Sequence, residues 1–225
     1  MAEGAEGRIG VFGAGLWRLR GDIAAATGMT PCRRRIDGRG LAATVGWGHK
    51  PTALPARLAA RLWRLPYVAM EDGFLRSVRP GAAEPSLSYV LDREGIYYDA
   101  RGPSALERLV RARTADPARA AADAAPALHA LRALGLSKYN LFEAAPEELD
   151  ALERAPKGAV LVADQTAGDA AVTGAVAGPA RAVFRRMVVA AVEENPDSLV
   201  ALKSHPETRL GRRRGCCDDA LLAEA

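Results

Sequence analysis

Short apolar runs, each ended by a charged group and separated by segments of helical spacing, constrain this chain more than any other feature. Leu65-Pro66-Tyr67-Val68-Ala69-Met70 leads straight into Glu71-Asp72-Gly73. Ala159-Val160-Leu161-Val162-Ala163 ends at Asp164, and Ser198-Leu199-Val200-Ala201-Leu202 ends at Lys203-Ser204-His205-Pro206. Apolar runs of this length read as buried strands, and their alternation with helices predicts an α/β fold. In an open α/β sheet, ligands bind beyond the carboxyl ends of the strands. The polar groups that close these runs therefore stand where chemistry is done, and Gly73 permits a sharp turn and a close approach beside two carboxylates.

The remaining elements follow the same alternation. Arg8 to Val11 reads as a first strand entering a turn at Gly13-Ala14-Gly15, with a helix from Leu16 to Thr27. That turn lacks the third glycine of a dinucleotide fingerprint, so it reads as a tight strand-to-helix connection. Leu41 to Gly48 is a second strand. Ala53 to Arg64 has helical spacing, with Leu54, Leu58 and Leu62 at i, i+4 and i+8. Ser86–Val90 and Gly95–Tyr98 read as two short strands joined at Asp92-Arg93-Glu94-Gly95. Pro103–Arg113 reads as a helix, with Ser104 and Glu107 at capping-box spacing. The alanine-rich stretch 115–134 favours helix, interrupted by Pro117 and Pro126. Residues 146–157 read as a linker, Val176–Glu194 as a helix, and the tail after Pro206 shows no strand pattern. Strand and helix alternating on both sides of the linker predict two Rossmann-like halves: an N-terminal domain over 1–145 and a partial C-terminal one over 158–225.

Composition narrows the function classes. At 225 residues, 49% hydrophobic and 26% charged, the chain is an ordinary globular one with enough length for a sizeable core. The net charge is only +4, so the runs Arg33-Arg34-Arg35 and Arg212-Arg213-Arg214 read as solvated faces, with phosphates, nucleic acid or anionic lipid as alternative partners. Aromatics at 5% weaken a single-strand nucleic-acid platform. Cys32, Cys216 and Cys217 form no CxxC pair, which points to a reduced, cytosolic chain. Met1–Arg8 does not have the pattern of a signal peptide, and no apolar run is long enough to span a membrane, so membrane contact would be peripheral. His49, His129 and His205 show no metal-ligand spacing, His129 reading as a structural residue of the alanine-rich helix. There is no P-loop and no GxSxG motif.

Four polar groups close strands or their loops: Glu71 with Asp72, Asp164 with Gln165, Asp169, and Lys203-Ser204-His205-Pro206. Together they suit a transferase. A carboxylate serves as base or nucleophile, and lysine, serine and histidine donors neutralise a phosphate leaving group. Taken singly, each is equally a helix cap, a salt-bridge partner or a loop residue.

Six stretches in order resemble one glycosyltransferase module of the capsule polysaccharide biosynthesis proteins of the KpsC/LipA type. They are Gly46-Trp47-Gly48-His49-Lys50-Pro51, Glu71-Asp72-Gly73-Phe74-Leu75-Arg76-Ser77, Gly95-Ile96-Tyr97-Tyr98-Asp99, Ser137-Lys138-Tyr139-Asn140, Val162-Ala163-Asp164-Gln165-Thr166-Ala167-Gly168-Asp169 and Lys203-Ser204-His205-Pro206. The resemblance implies a GT-B-like α/β fold, the second half incomplete here because the family continues after His-Pro with further strands. It implies a retaining transferase moving β-Kdo from CMP-Kdo to a phosphatidylglycerol-type lipid or Kdo acceptor, in synthesis of the capsule linker. The Glu-Asp-Gly and His-Pro pairs also resemble those of bacterial sialyltransferases. Asp164 would be the nucleophile, with Asp169 its rival, since retention by double displacement needs a carboxylate opposite the leaving group. Glu71 and Asp72 would supply the acid/base, undivided between them. His205, Lys203 and Ser204 would hold the CMP phosphate, with Gln165 and Pro206 beside them. Arg76 and Lys138 would meet the Kdo carboxylate or acceptor phosphate, and Trp47 would shape the acceptor cleft or belong to the core. The resemblance implies no cofactor besides the CMP-Kdo donor, a glycolipid acceptor, capsule assembly proteins as partners at the inner face of the inner membrane, and no nucleic acid. Two other readings remain: an inactive truncated fragment of such an enzyme, and a non-catalytic nucleotide- or polyanion-binding protein.

Overall fold

The computed structural model describes residues 7–33, 38–79, 84–140, 146–155 and 157–217. The chain divides into two compact units, one of Met1–Arg76 with Pro85–Lys138 and one of Ser77–Glu84 with Tyr139–Ala225. The fold is mixed α/β with mainly parallel sheets, as the alternation predicts.

The first unit holds β1 (Arg8–Val11), α1 (Ala14–Arg18), α2 (Arg20–Thr27), β2 (Thr30–Arg33), β3 (Leu41–Trp47), α3 (Leu54–Trp63), β4 (Tyr67–Asp72), β5 (Tyr89–Asp92), α4 (Ala105–Thr114) and α5 (Pro117–Ala133). Its sheet runs β2-β1-β3-β4-β5, parallel except for β5. The chain leaves β1 toward one edge and β3 toward the other, so their carboxyl ends flank a topological switch point. Right-handed crossovers then place α2 and α3 on opposite faces. One face is the main core: Ile9, Val11, Leu16, Ile23, Met29, Ala43, Val45, Val68 and Met70.

Several expectations change at this level. The predicted helix 16–27 breaks at Leu19, whose amide turns back to the Leu16 carbonyl. β2 carries Pro31, which hides it as a strand. The neighbouring Thr30 amide donates to Gly7 O on the β1 side, so the nitrogen of Pro31 faces the open edge, where no ladder donor is needed. The expected strand Gly95–Tyr98 is a turn region. Buried Asp92 accepts from the amides of Glu94 and Gly95 through Oδ1 and from the Ala105 amide through Oδ2, which fixes the turn and the start of α4. Ser104 caps α4 as predicted, its hydroxyl accepting from the Glu107 amide. Pro117 starts α5 rather than interrupting it, behind the Asp116 cap, and Pro126 lies inside the helix.

α3 is present, but its leucine stripe faces outward. Leu54, Leu58 and Leu62 are 50%, 56% and 77% exposed, whereas Ala56, Ala59 and Ala60 are buried. Small residues let the helix backbone approach the sheet closely. Buried Thr44 donates its hydroxyl to the Ala56 carbonyl at 3.0 Å.

The second unit holds α6 (Pro146–Glu153), β6 (Ala159–Ala163), α7 (Ala170–Ala175), α8 (Ala180–Glu194), β7 (Leu199–Lys203) and the short α9 (Pro206–Arg209). The stretch read as a linker therefore carries α6. β6 and β7 pair in parallel, Ala163 opposite Lys203. Only Val162 of β6 is buried, so the strand is present but far less buried than its apolar run predicts. The core is Val162, Val172, Phe184, Val188, Cys216 and Cys217. The described part of the tail is thus packed, not featureless. Residues 218–225 lie outside the described residues, as do Arg34 and Arg35 of the first arginine run, while Arg212–Arg214 are exposed.

Candidate functional site

β4 is central to the first unit's polar cluster. Successive strand residues point to opposite faces, which separates the two acids. Asp72 is held by Arg76, whose Nε lies 3.3 Å from Oδ2, and by the Ser86 hydroxyl, which donates to Oδ1. Arg76 is itself buried. Glu71 is buried, its Oε1 accepting from Lys50 Nζ at 3.4 Å, while its buried Oε2 lies beside the Tyr98 hydroxyl and meets no cation among the described residues. Lys50 also lies over the Trp47 ring at 5.4 Å, and Trp47 packs edge-on against Tyr89 at the margin of the core.

The turn after β3 closes over Glu71. Gly48 has φ +50°, and a Cβ there would overlap the Tyr98 hydroxyl and lie 2.8 Å from Glu71 Oε2. The Tyr67 hydroxyl donates to Gly48 O at 2.5 Å, and the His49 amide donates to the Tyr98 hydroxyl at 2.8 Å. Burial raises the pKa of both phenols, keeping them protonated. His49 Nδ1 lies 2.8 Å from Asp99 Oδ2. Hydrogen bonds from Arg101, and secondarily from His49, hold the Asp99 carboxyl well below the usual carboxylate range. His49, Tyr98 and Asp99 lie in matched stretches, yet their own spacing assigns them nothing; only the loops that carry them bring them together. Lys138 is exposed and its carbonyl accepts from the Arg76 amide, while His129 is exposed on α5.

In the second unit, β6 and β7 end side by side, so Asp164 and Ser204 follow at one sheet edge. Asp164 is buried. Its Oδ1 accepts from the amides of Cys216 and Cys217 at 3.1 and 3.0 Å, and its buried Oδ2 has no hydrogen-bond partner among the described residues. Any Cβ on Gly215 would overlap that oxygen. The loop continues the pairing: Gln165 O accepts from the Cys216 amide, Thr166 bridges to Gly215, and Ala167 donates to Arg214 O. Burial, then Asp164 and Asp169, raise the Cys216 thiol pKa. Gln165 Oε1 accepts from the Thr166 amide. Asp169 has another job, capping α7 by accepting from the Ala171 amide at 2.9 Å.

His205 Nδ1 accepts from the Glu207 amide at 3.2 Å. A neutral imidazole that accepts at Nδ1 carries its proton on Nε2, a donor suited to an anion. Pro206 begins α9 directly behind it, and exposed Lys203 and half-buried Ser204 precede it.

A profile of the family described as "Capsule polysaccharide biosynthesis protein" matches residues 42–145 and 127–222. The capsule polysaccharide modification protein LipA of Neisseria meningitidis is 38% identical over 180 residues, covering 80% of this chain and 25% of the relative. The lipopolysaccharide-processing protein LpsZ of Rhizobium meliloti is 36% identical over 155 residues, covering 68% of this chain and 33% of LpsZ. This chain thus spans a quarter to a third of the length of these relatives. Among solved structures, Thermosulfurimonas dismutans KpsC, described as a beta Kdo 2,4 transferase, superposes with a TM-score of 0.78 at 35% identity, over 100% of this chain and 66% of that one. The KpsC structure described as a beta Kdo 2,7 transferase gives 0.55 at 20% identity, over 89% and 62%, which is a likeness of fold.

Proposed function

This chain belongs to the capsule polysaccharide biosynthesis family, of the KpsC and LipA type, and from that premise we propose that it is a retaining β-Kdo transferase module of GT-B architecture. The observation that carries the reading is the likeness, over 100% of the chain, to a solved protein described as a beta Kdo 2,4 transferase. The donor is CMP-Kdo and the acceptor a phosphatidylglycerol-type lipid or a Kdo-primed chain, used at the inner face of the inner membrane.

Asp164 is the nucleophile. Two backbone amides fix its Oδ1 and leave Oδ2 without a hydrogen-bond partner among the described residues, which orients one oxygen for attack on the anomeric carbon while CMP leaves. Asp169 is occupied as a helix cap. Glu71 is the acid/base that takes the acceptor hydroxyl proton as that oxygen displaces Asp164 from the sugar, since its Oε2 meets no cation among the described residues, whereas Arg76 and Ser86 hold Asp72. Asp72 positions Arg76. The Nε2–H of His205, with Lys203 and Ser204, offsets the charge that develops on the CMP phosphate.

Incubation with CMP-Kdo and a Kdo-primed lipid analogue tests this. Wild-type protein releases CMP, and Glu71→Gln lowers the rate about 10²–10⁴-fold. Asp164→Asn keeps an oxygen for the two amides, so it leaves the fold intact while abolishing turnover. The intact mass of trapped wild type shows a Kdo adduct on Asp164 that persists in Asp169→Asn. A folded sample that neither binds CMP nor releases it from CMP-Kdo would overturn the reading.

A further inference from the structure

We propose that the outward face of α3 is a docking surface for anionic phospholipid. The assignment rests on this helix alone, whether or not the chain transfers Kdo. Single exposed leucines are normal on a protein surface. Here Leu54, Leu58 and Leu62 form one stripe along a single helix, each at least half exposed. They add nothing to the core, because Ala56, Ala59 and Ala60 make the contact with the sheet.

The charge beside the stripe identifies its occupant. At 100° per residue, Arg57 and Arg61 flank the leucines on the solvent side, and Arg64 follows at the end of the helix. None of the three forms an ion pair among the described residues. Residues 49–70 contain Lys50, Arg57, Arg61 and Arg64 and not one aspartate or glutamate. A helix face with leucines at its centre and arginines along its border matches the headgroup–acyl boundary of an anionic leaflet, the leucines entering and the guanidinium groups meeting phosphates. A second copy of the chain fits less well. A two-fold contact through this stripe would set Arg57 and Arg61 of each copy against the other's, with no acid on the helix to pair them.

Co-sedimentation of the full chain with vesicles tests the proposal without any sugar substrate, so its failure is distinct from failure of the transferase reading. Wild type binds vesicles of equimolar phosphatidylglycerol and phosphatidylcholine, does not bind pure phosphatidylcholine, and is released by salt. Leu58→Ser with Leu62→Ser lowers the partition coefficient about tenfold or more, with an unchanged circular dichroism spectrum and melting temperature. Arg57→Gln with Arg61→Gln weakens binding to the anionic vesicles. A triple glutamine change at Arg212, Arg213 and Arg214 leaves it near wild type. Absence of binding to the anionic vesicles, or binding lost with Arg212–Arg214 and indifferent to α3, overturns the proposal. So does a dimer in light scattering that the leucine changes dissolve.

Discussion

Gly48 carries two constraints at once: a left-handed backbone that L side chains rarely adopt, and the Tyr98 hydroxyl where a Cβ would stand. Gly48→Ala is expected to destabilise the protein by ~1–3 kcal/mol, read from denaturant titration, and to displace Tyr98 from the His49 amide. Asp99 gives the unit a pH signature. Its carboxyl is depressed chiefly by Arg101, then by His49. A depressed acid contributes stability that is fully present above its unfolded value of about 3.9 and lost as pH falls toward its folded value. The stability gap between wild type and Asp99→Asn should therefore be widest near neutrality and narrow as the solution is acidified below about pH 4, measured by urea unfolding across pH. The polar strand ends were legible as single residues. The different surroundings of Glu71 and Asp72 were not, because they depend on which face each side chain takes and on partners such as Lys50, Arg76 and Ser86 supplied by other elements. The His49–Asp99 pair, with |i−j| of 50, has no local signal at all.

Elements were easier to find than to orient. Helical spacing located α3, but two stripes of equal period share it, one of leucine and one of alanine, and periodicity alone cannot say which is buried. The sheet decides. Gly46 and Thr44 present a shallow face on β3, Gly46 packing near Ala53, and only small side chains fit between helix and strand. Ala60→Leu should accordingly cost ~1–3 kcal/mol through overpacking, whereas Leu62→Ser should change stability by less than ~0.5 kcal/mol. Chemical denaturation of the two variants side by side checks the orientation of the helix directly. The false strand at Gly95–Tyr98 has a similar cause: the amides that would extend a ladder are taken by the Asp92 carboxylate, a competition visible only once Asp92 is known to be buried.

At the scale of the molecule, each unit is built around its own cluster of buried residues, a larger one on the five-stranded sheet and a smaller one behind β6 and β7. The α/β class was legible because strand-length apolar runs and helical segments alternate throughout. Strand order and direction were not, since nothing local to β5 marks it as antiparallel. Nor was the packing of the tail, where Cys216 and Cys217 enter the core and tie their amides to Asp164. The edge strand β2 is hidden in the sequence for another reason: it is four residues long and holds Pro31, a residue strands seldom carry. That same Pro31 has a bearing on how the protein behaves in concentrated solution. An exposed strand edge is a template on which other chains can add, the first step toward fibrils. With its nitrogen turned outward, Pro31 withholds the donor an incoming strand would need in the middle of a four-residue edge, so β2 can close the sheet without seeding aggregation.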